Sequence, residues 1–466
     1  MRRGATFRVA FLAGDRAPRL ITAAIIVLAW AGCLILNWPG HFSWDSVMQL
    51  AEGRRGVYSG QHPPVMSWLL ALADAAQPGA VLFVVFDATL TFGALLVLAL
   101  IARPASWFGA PVAAALAFAP QLAVYPAIVW KDVLFAGSFV AGFACLAGAV
   151  AIWARRPGRW SLLGAGLALL ALGALSRQNG LVVLPFAAAA VGWMASRSAA
   201  RAKAWRGVGY TLGFLAGAAA MLLAATAALD ARLTGPHGVA EQWEHLEIYD
   251  VVGAVATDPR YRLGVLNDRA PWLESMLRAD AAPVYSPSRI DSLEDDVLDP
   301  LDHRQGVAAP IAAQWRDLVL RHPLLYLRVR AAVFRWTLLT PRPAECVMIS
   351  TGVDGDDDAL DAAGLDERQT KRDDAIEAYA LGFVATPVYS HATYAVAGAL
   401  LLALLLRRRR PTDVVVAAMV AGGLAFAASF ALISIACDYR YLYGLDLAVI
   451  AAALYAAASR AWRSDR

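Results

Sequence analysis

Charge is in short supply in this chain: 17% of its 466 residues are charged, while 59% are hydrophobic. A soluble globular domain carries about 25% charged residues, so the shortage excludes an ordinary soluble fold. Cysteine is sparse as well. Cys33, Cys145, Cys346 and Cys437 lack metal-ligand spacing. Cys346 and Cys437 map to the same side of the topology below, and a disulfide or two free thiols are both open. No basic-aromatic surface suits nucleic acid, and the net charge of +4 reads as a topological signal instead. No internal repeat and no matching pair of interrupted helices appears, which weakens a transporter reading. The first apolar run lacks a small-residue cleavage site, and Trp30-Ala31-Gly32-Cys33 is a poor lipidation signal, so the run is kept as a helix.

What the chain does have is long apolar runs. Ten approach the length needed to cross a ~30 Å hydrocarbon core: roughly 20–38, 79–102, 109–128, 133–153, 161–176, 180–196, 207–229, 384–406, 413–436 and 443–459. Basic residues set their orientation. Arg2, Arg3, Arg8, Arg16 and Arg19 precede the first run. Arg103, Arg155, Arg156, Arg159, Arg197, Arg201, Lys203, Arg206, Arg407 to Arg410, Arg460, Arg463 and Arg466 follow in alternate loops. These are 20 of the 41 Lys/Arg on one side, and 27 of the 37 acidic residues lie in 230–383 on the other. The predicted fold is all-α and polytopic, with about ten transmembrane helices and both termini cytoplasmic. A mostly helical extracytoplasmic insert separates helices seven and eight. Residues 1–229 form a seven-helix membrane module with a first outer loop at 39–78, 230–383 the insert, and 384–466 three further helices.

Inside the insert, helical patterns start at Glu241-Gln242-Trp243 and at Pro310. Residues 324–336 could be an eleventh span, but Arg328, Arg330 and Arg335 would each cost about 2.5–3.5 kcal/mol at the centre of a membrane. An interfacial helix with snorkelling arginines is expected. The acidic stretch Asp354 to Asp374 is not a calcium loop, because Ala359 replaces the required glycine and Leu365 the bidentate glutamate. It reads as a mobile, solvated segment.

Polar side chains collect at the outer ends of the runs. The first loop offers Asp45, Gln61 and His62, and the turn before the fourth run offers Lys131 and Asp132. Arg177 and Asn179 follow the fifth run, and Arg440 and Tyr441 precede the last. This set suits transfer of a group from a polyprenyl phosphate. Lys131, Arg177 or Arg440 could neutralise charge on a departing phosphate, and His62 could bind phosphate or metal or, beside Pro63 and Pro64, simply stand at a helix start. Asp45, with Asp132 second, could take the proton of an incoming hydroxyl, or either could hold a divalent metal such as Mg or Mn. Gln61, Asn179 and Tyr441 would contact substrate. Each has a plainer alternative: Asp45 could cap a helix at 46–52, Lys131 and Asp132 could be interfacial anchors, Arg177 and Asn179 a polar turn, and Tyr441 part of an aromatic belt. Asp87 lies inside the second run, where an acid needs a polar partner or a water-filled cleft.

The order and placement of these segments resemble integral-membrane GT-C glycosyltransferases. The resemblance is carried by an Asp in the first outer loop, Gly56-Val57-Tyr58-Ser59 before His62-Pro63-Pro64, Trp130-Lys131-Asp132, and Arg177-Gln178-Asn179-Gly180. It covers mainly 40–200 and is nearest to bacterial proteins related to the dolichyl-phosphate-mannose protein mannosyltransferase family. It implies a polyprenyl-phosphate-sugar donor, a glycan, lipid or protein acceptor, and transfer on the outer face of a bacterial cytoplasmic membrane, with Asp45 as catalytic acid-base residue. Many relatives carry a second acid after this Asp. Ser46 stands there instead, which leaves the metal open. An O-antigen polymerase or ligase and a polytopic lipid or solute transporter are the competing readings.

Overall fold

The computed structural model describes residues 16–58, 62–198, 203–230, 238–302, 304 and 306–460. It is an all-α polytopic membrane protein; among the described residues pairing is limited to isolated bridges. Among the described residues, eight helices are long and apolar enough to cross a membrane: Arg16–Leu36, Val81–Ile101, Lys131–Ala151, Arg156–Ser176, Gln178–Arg197, Ala204–Leu229, Pro411–Ile433 and Tyr439–Ala458. A bent pair, Gly109–Ala117 with Pro120–Ala127, raises the count to nine if taken as one span. The run predicted at 384–406 forms the 18-residue helix His391–Arg408, whose last turn holds Arg407 and Arg408.

Helix Lys131–Ala151 lies at the centre, with nearly every residue buried. Small residues let its neighbour come close. A Cβ at Gly142 would meet Leu170 Cγ at 2.6 Å, and one at Gly166 would meet the Gly142 carbonyl at 3.0 Å, so Arg156–Ser176 packs backbone to backbone here. The bent pair has a local cause. Pro120 cannot extend the preceding helix, and the residue before it, Ala119, is extended (φ −71°, ψ 133°), giving a 75° bend. The chain leaving this bend pairs Ile128 with His41 of the first loop, and Phe42 pairs with Val353. Those bridges seat the first loop at the end of the bundle where Lys131–Ala151 begins.

Two hydrophobic cores result. The larger one joins the membrane helices with residues 346–380; the second gathers residues 248–333 with Ile435 packed against it. The acidic stretch expected to be mobile contains helix Asp357–Ala362, capped by Asp356, and helix Lys371–Leu381, which opens on a Thr370–Asp373 capping box. Leu360, Ala363 and Ile376 pack in the main core. Its charge pattern suggested solvation, but Ala359, Leu360, Ala362, Ala363 and Leu365 join the main core, and helix Asp357–Ala362 packs on Trp44–Arg55 of the first loop. The snorkelling expected along Pro323–Leu339 also fails for one arginine. Arg330 is 2% exposed and bonds Asp250 Oδ1 at 3.0 Å and the Ser434 carbonyl at 2.8 Å, fastening the second core to the end of Pro411–Ile433. Cys346 and Cys437 form a disulfide, resolving the alternative left open above. Asp87 is buried, and neither carboxyl oxygen has a hydrogen-bond partner among the described residues.

Candidate active site

Four chain segments that are distant in sequence end at one place. Helix Trp44–Arg55 starts from Ser43, whose N–H donates to Ser46 Oγ at 2.8 Å. That pair closes the helix end, so the capping alternative for Asp45 is not needed: its carboxylate bonds Arg440 Nη1 at 2.7 Å. Trp130 Nε1 donates to Ser43 Oγ at 2.8 Å and pins the loop to the start of Lys131–Ala151. Lys131 and Asp132 form that helix's first turn, where an acidic side chain is favoured by the helix dipole. Arg156–Ser176 terminates at Arg177, whose guanidinium pairs with Asp132. The turn Tyr439–Leu442 delivers Arg440.

Arg440 is the hub. Besides Asp45, it reaches Asp438 at 3.3 Å and Asp132 at 4.0 Å, and it sits over the Trp130 ring at 5.2 Å. Arg177 lies 4.7 Å over the Tyr441 ring and 5.2 Å from that of Phe430. His62 bridges the rest. Lys131 Nζ donates to its Nδ1 at 3.0 Å, so the ring proton belongs on Nε2, which faces Asp45 Oδ1 at 4.0 Å. Desolvation holds the His62 pKa at about 3, assisted by Lys131, so the ring is neutral at physiological pH. Burial alone would raise the Asp45 pKa, but Arg440, His62 and Lys131 outweigh it and keep the carboxyl below the usual range. Asp438 goes the other way: burial raises it despite Arg440.

Of the residues singled out in the sequence, Asp45, His62, Lys131, Asp132, Arg177, Arg440 and Tyr441 therefore meet. Asn179 donates instead to Ser429 Oγ at 3.0 Å on Pro411–Ile433, bracing the turn that carries Arg177. Gln61 lies outside the described residues. Asp438 and the ring of Trp130 join the cluster without the sequence pattern having assigned them a role. Asp438 accepts from the Val347 N–H at 3.2 Å beside the disulfide, and its place two residues before Arg440 was the available signal.

A divalent cation does not fit this donor set. Among the described residues no group of three or more His, Cys, Asp or Glu is arranged to hold one. Asp45 and Asp132 are already held by Arg440 and Arg177, and Lys131 adds a third positive charge. A metal would have to displace a guanidinium and then face its repulsion. The arrangement suits an anion with several oxygens instead, since guanidinium and ammonium groups converge from different helices.

No protein-family model matches the chain, and no curated protein matches it. A solved structure of the archaeal oligosaccharyltransferase AglB from Archaeoglobus fulgidus, in complex with an inhibitory peptide and a dolichol-phosphate, is similar at a TM-score of 0.41 and 13% identity over 93% of this chain. The chain spans about half the length of that protein, at 50%.

Proposed function

We propose that the protein is a membrane glycosyltransferase that moves a sugar from a polyprenyl-phosphate-linked donor to a hydroxyl of a glycan, lipid or protein acceptor. The observation that carries this reading is the convergence of Asp45 and Asp132 with Lys131, Arg177 and Arg440 at the ends of membrane helices. The bond from the anomeric carbon to the phosphate oxygen breaks, and the electron pair leaves with the lipid phosphate. Arg440, Arg177 and Lys131 neutralise that charge. The acceptor oxygen bonds the anomeric carbon and passes its proton to Asp45. A strongly ionised carboxylate is a weak base, but the hydroxyl becomes acidic as its bond forms, so a weak base suffices. A donor phosphate that takes over Arg440 Nη1 would also release Asp45 Oδ2 for the acceptor, coupling donor binding to base availability.

Tyr441, beneath Arg177, would flank the sugar, and Asn179 would brace the Arg177 turn. The opposite end of the bundle gathers Arg410, which bonds the Arg103 carbonyl at 2.7 Å, and Arg408 beside Ser459. With basic residues facing the cytoplasm, the cluster opens on the extracytoplasmic face of a bacterial cytoplasmic membrane. The test is transfer or hydrolysis of synthetic polyprenyl-phosphate sugars by the full chain in proteoliposomes, compared with Asp45→Asn. Loss of bond cleavage by about 100-fold or more is expected for removal of a general base. Full activity in folded Asp45→Asn, or substrate uptake with no bond broken, would overturn the reading.

A further inference from the structure

Away from the cluster, a groove of about 660 Å³ runs between the first helix, Arg16–Leu36, and the bent pair, under helix Lys371–Leu381. Its origin is local. Gly109–Ala117 and Pro120–Ala127 meet at a 75° bend beside the first helix. Small residues facing the gap, Ala29, Gly32, Ala114 and Ala117, leave it unfilled. A Cβ built at Gly32 would meet nothing within 4 Å. Leu28, Leu36 and Phe118 line the groove and are 70%, 54% and 70% exposed, as a bilayer-facing wall would be.

We propose that this groove holds one acyl chain of an anionic phospholipid, with the lipid phosphate against Arg372. The first helix is long and apolar enough to cross a membrane and only 17% of its apolar window is buried, so hydrocarbon is the surrounding medium. A space of this size beside it fills with a chain, because a void forfeits dispersion contacts along its whole lining. Polar occupants gain little. The one amide on the wall, Asn37, is already committed: its Nδ2 donates to the Cys33 carbonyl at 2.7 Å and the Ala123 carbonyl at 2.8 Å, and its Oδ1 contacts His41 Nε2 at 3.1 Å. At the same end Arg372 is 47% exposed. It donates to the Trp38 carbonyl, and its contact with the Asp373 carboxylate is a long one at 4.0 Å. Asp373 is itself held by Thr370 Oγ1 at 2.6 Å and by the Thr370 N–H at 2.9 Å. A guanidinium with five donors, placed where a chain would emerge, matches a phosphate headgroup.

None of Asp45, His62, Lys131, Asp132, Arg177 or Arg440 lines the groove, so this site stands or falls separately from the sugar-transfer reading. The test uses the delipidated full chain with an equimolar mixture of phosphatidylglycerol and phosphatidylcholine, read by native mass spectrometry. Wild type is expected to retain one phosphatidylglycerol in preference. Gly32→Phe, which fills the groove, should lower that occupancy at least ten-fold; Arg372→Ala should bind the two lipids equally; Asp45→Asn should bind as wild type does. Absence of a retained lipid in wild type, equal binding of the two lipids by wild type, or unchanged retention in Gly32→Phe overturns the proposal. Should Gly32→Phe not fold, phosphatidylglycerol with a photoreactive acyl chain decides on wild type. Labelling within 25–37 or 114–118 supports the site, and labelling only elsewhere sinks it.

Discussion

Replacing Arg440 by Met removes one charge but keeps most of the apolar stem. Three carboxylates lose their shared partner: Asp45 at 2.7 Å, Asp438 at 3.3 Å and Asp132 at 4.0 Å. At an effective dielectric of 20, one such contact at 4 Å is worth about 4 kcal/mol gross. Desolvation of the guanidinium offsets much of that total. Removing one partner of a buried pair costs about 3–5 kcal/mol in practice, because the remaining charge is stranded. Asp132 keeps Arg177, so the lower part of that range is expected. The sign of the pH dependence follows from Asp45. Its folded-state pKa lies below the unfolded value of 3.8, so its stabilisation is present above that value and is lost as pH falls through the folded one. Without Arg440, Asp45 and Asp438 titrate higher, so the deficit of Arg440→Met relative to wild type should shrink between pH 7.5 and pH 5. The assay is thermal unfolding in detergent, followed by tryptophan fluorescence at both pH values. Arg440→Lys should recover part of the loss, since one ammonium cannot span all three carboxylates as a planar fork does. A Met variant as stable as wild type at pH 7.5, or one with a deficit independent of pH, would refute the reasoning.

The disulfide should protect Cys346 and Cys437 from alkylation in the native protein until a reductant is added. Cys437→Ser should lower stability by about 2–4 kcal/mol, measured by chemical denaturation, with loss of order around Asp438 and Arg440. His41 and His62 are held by burial at about 4 and about 3, below their ordinary 6.5. Each unfolded histidine binds a proton that its folded form refuses, so stability should fall as pH drops below about 6.5, by about 1.4 kcal/mol per pH unit for each. His62→Gln should reduce that slope in a melting series, and an unchanged slope would contradict the assignment. Arg330→Met strands Asp250 in the second core and should cost about 3–5 kcal/mol. Asp250→Asn combined with it should recover part of the loss in a double-mutant cycle.

The helical, membrane-spanning character of this chain was legible in its sequence because it depends on local composition. An apolar run long enough for a bilayer must satisfy its own backbone, and only a helix does so there. The site was half legible. Asp45, Lys131, Asp132, Arg177 and Arg440 could be named because charge is scarce in such a chain and falls at helix ends, so each one stands out. Their mutual contacts could not be read, since Asp45 and Arg440 are separated by nearly the whole chain and pair only once the helices have packed. Nor could the order within 354–374, whose acidic surface masks the apolar residues that dock on the first loop. Arg330 belongs with these. Its sequence neighbourhood predicts a snorkelling side chain, and only the packing of Gly238–Thr257 against Pro323–Leu339 supplies Asp250 as a buried partner. Hydrophobic length is a property of a segment, so sequence decided it alone; the pairing of charges is a property of distance in space, so only the tertiary structure could decide it.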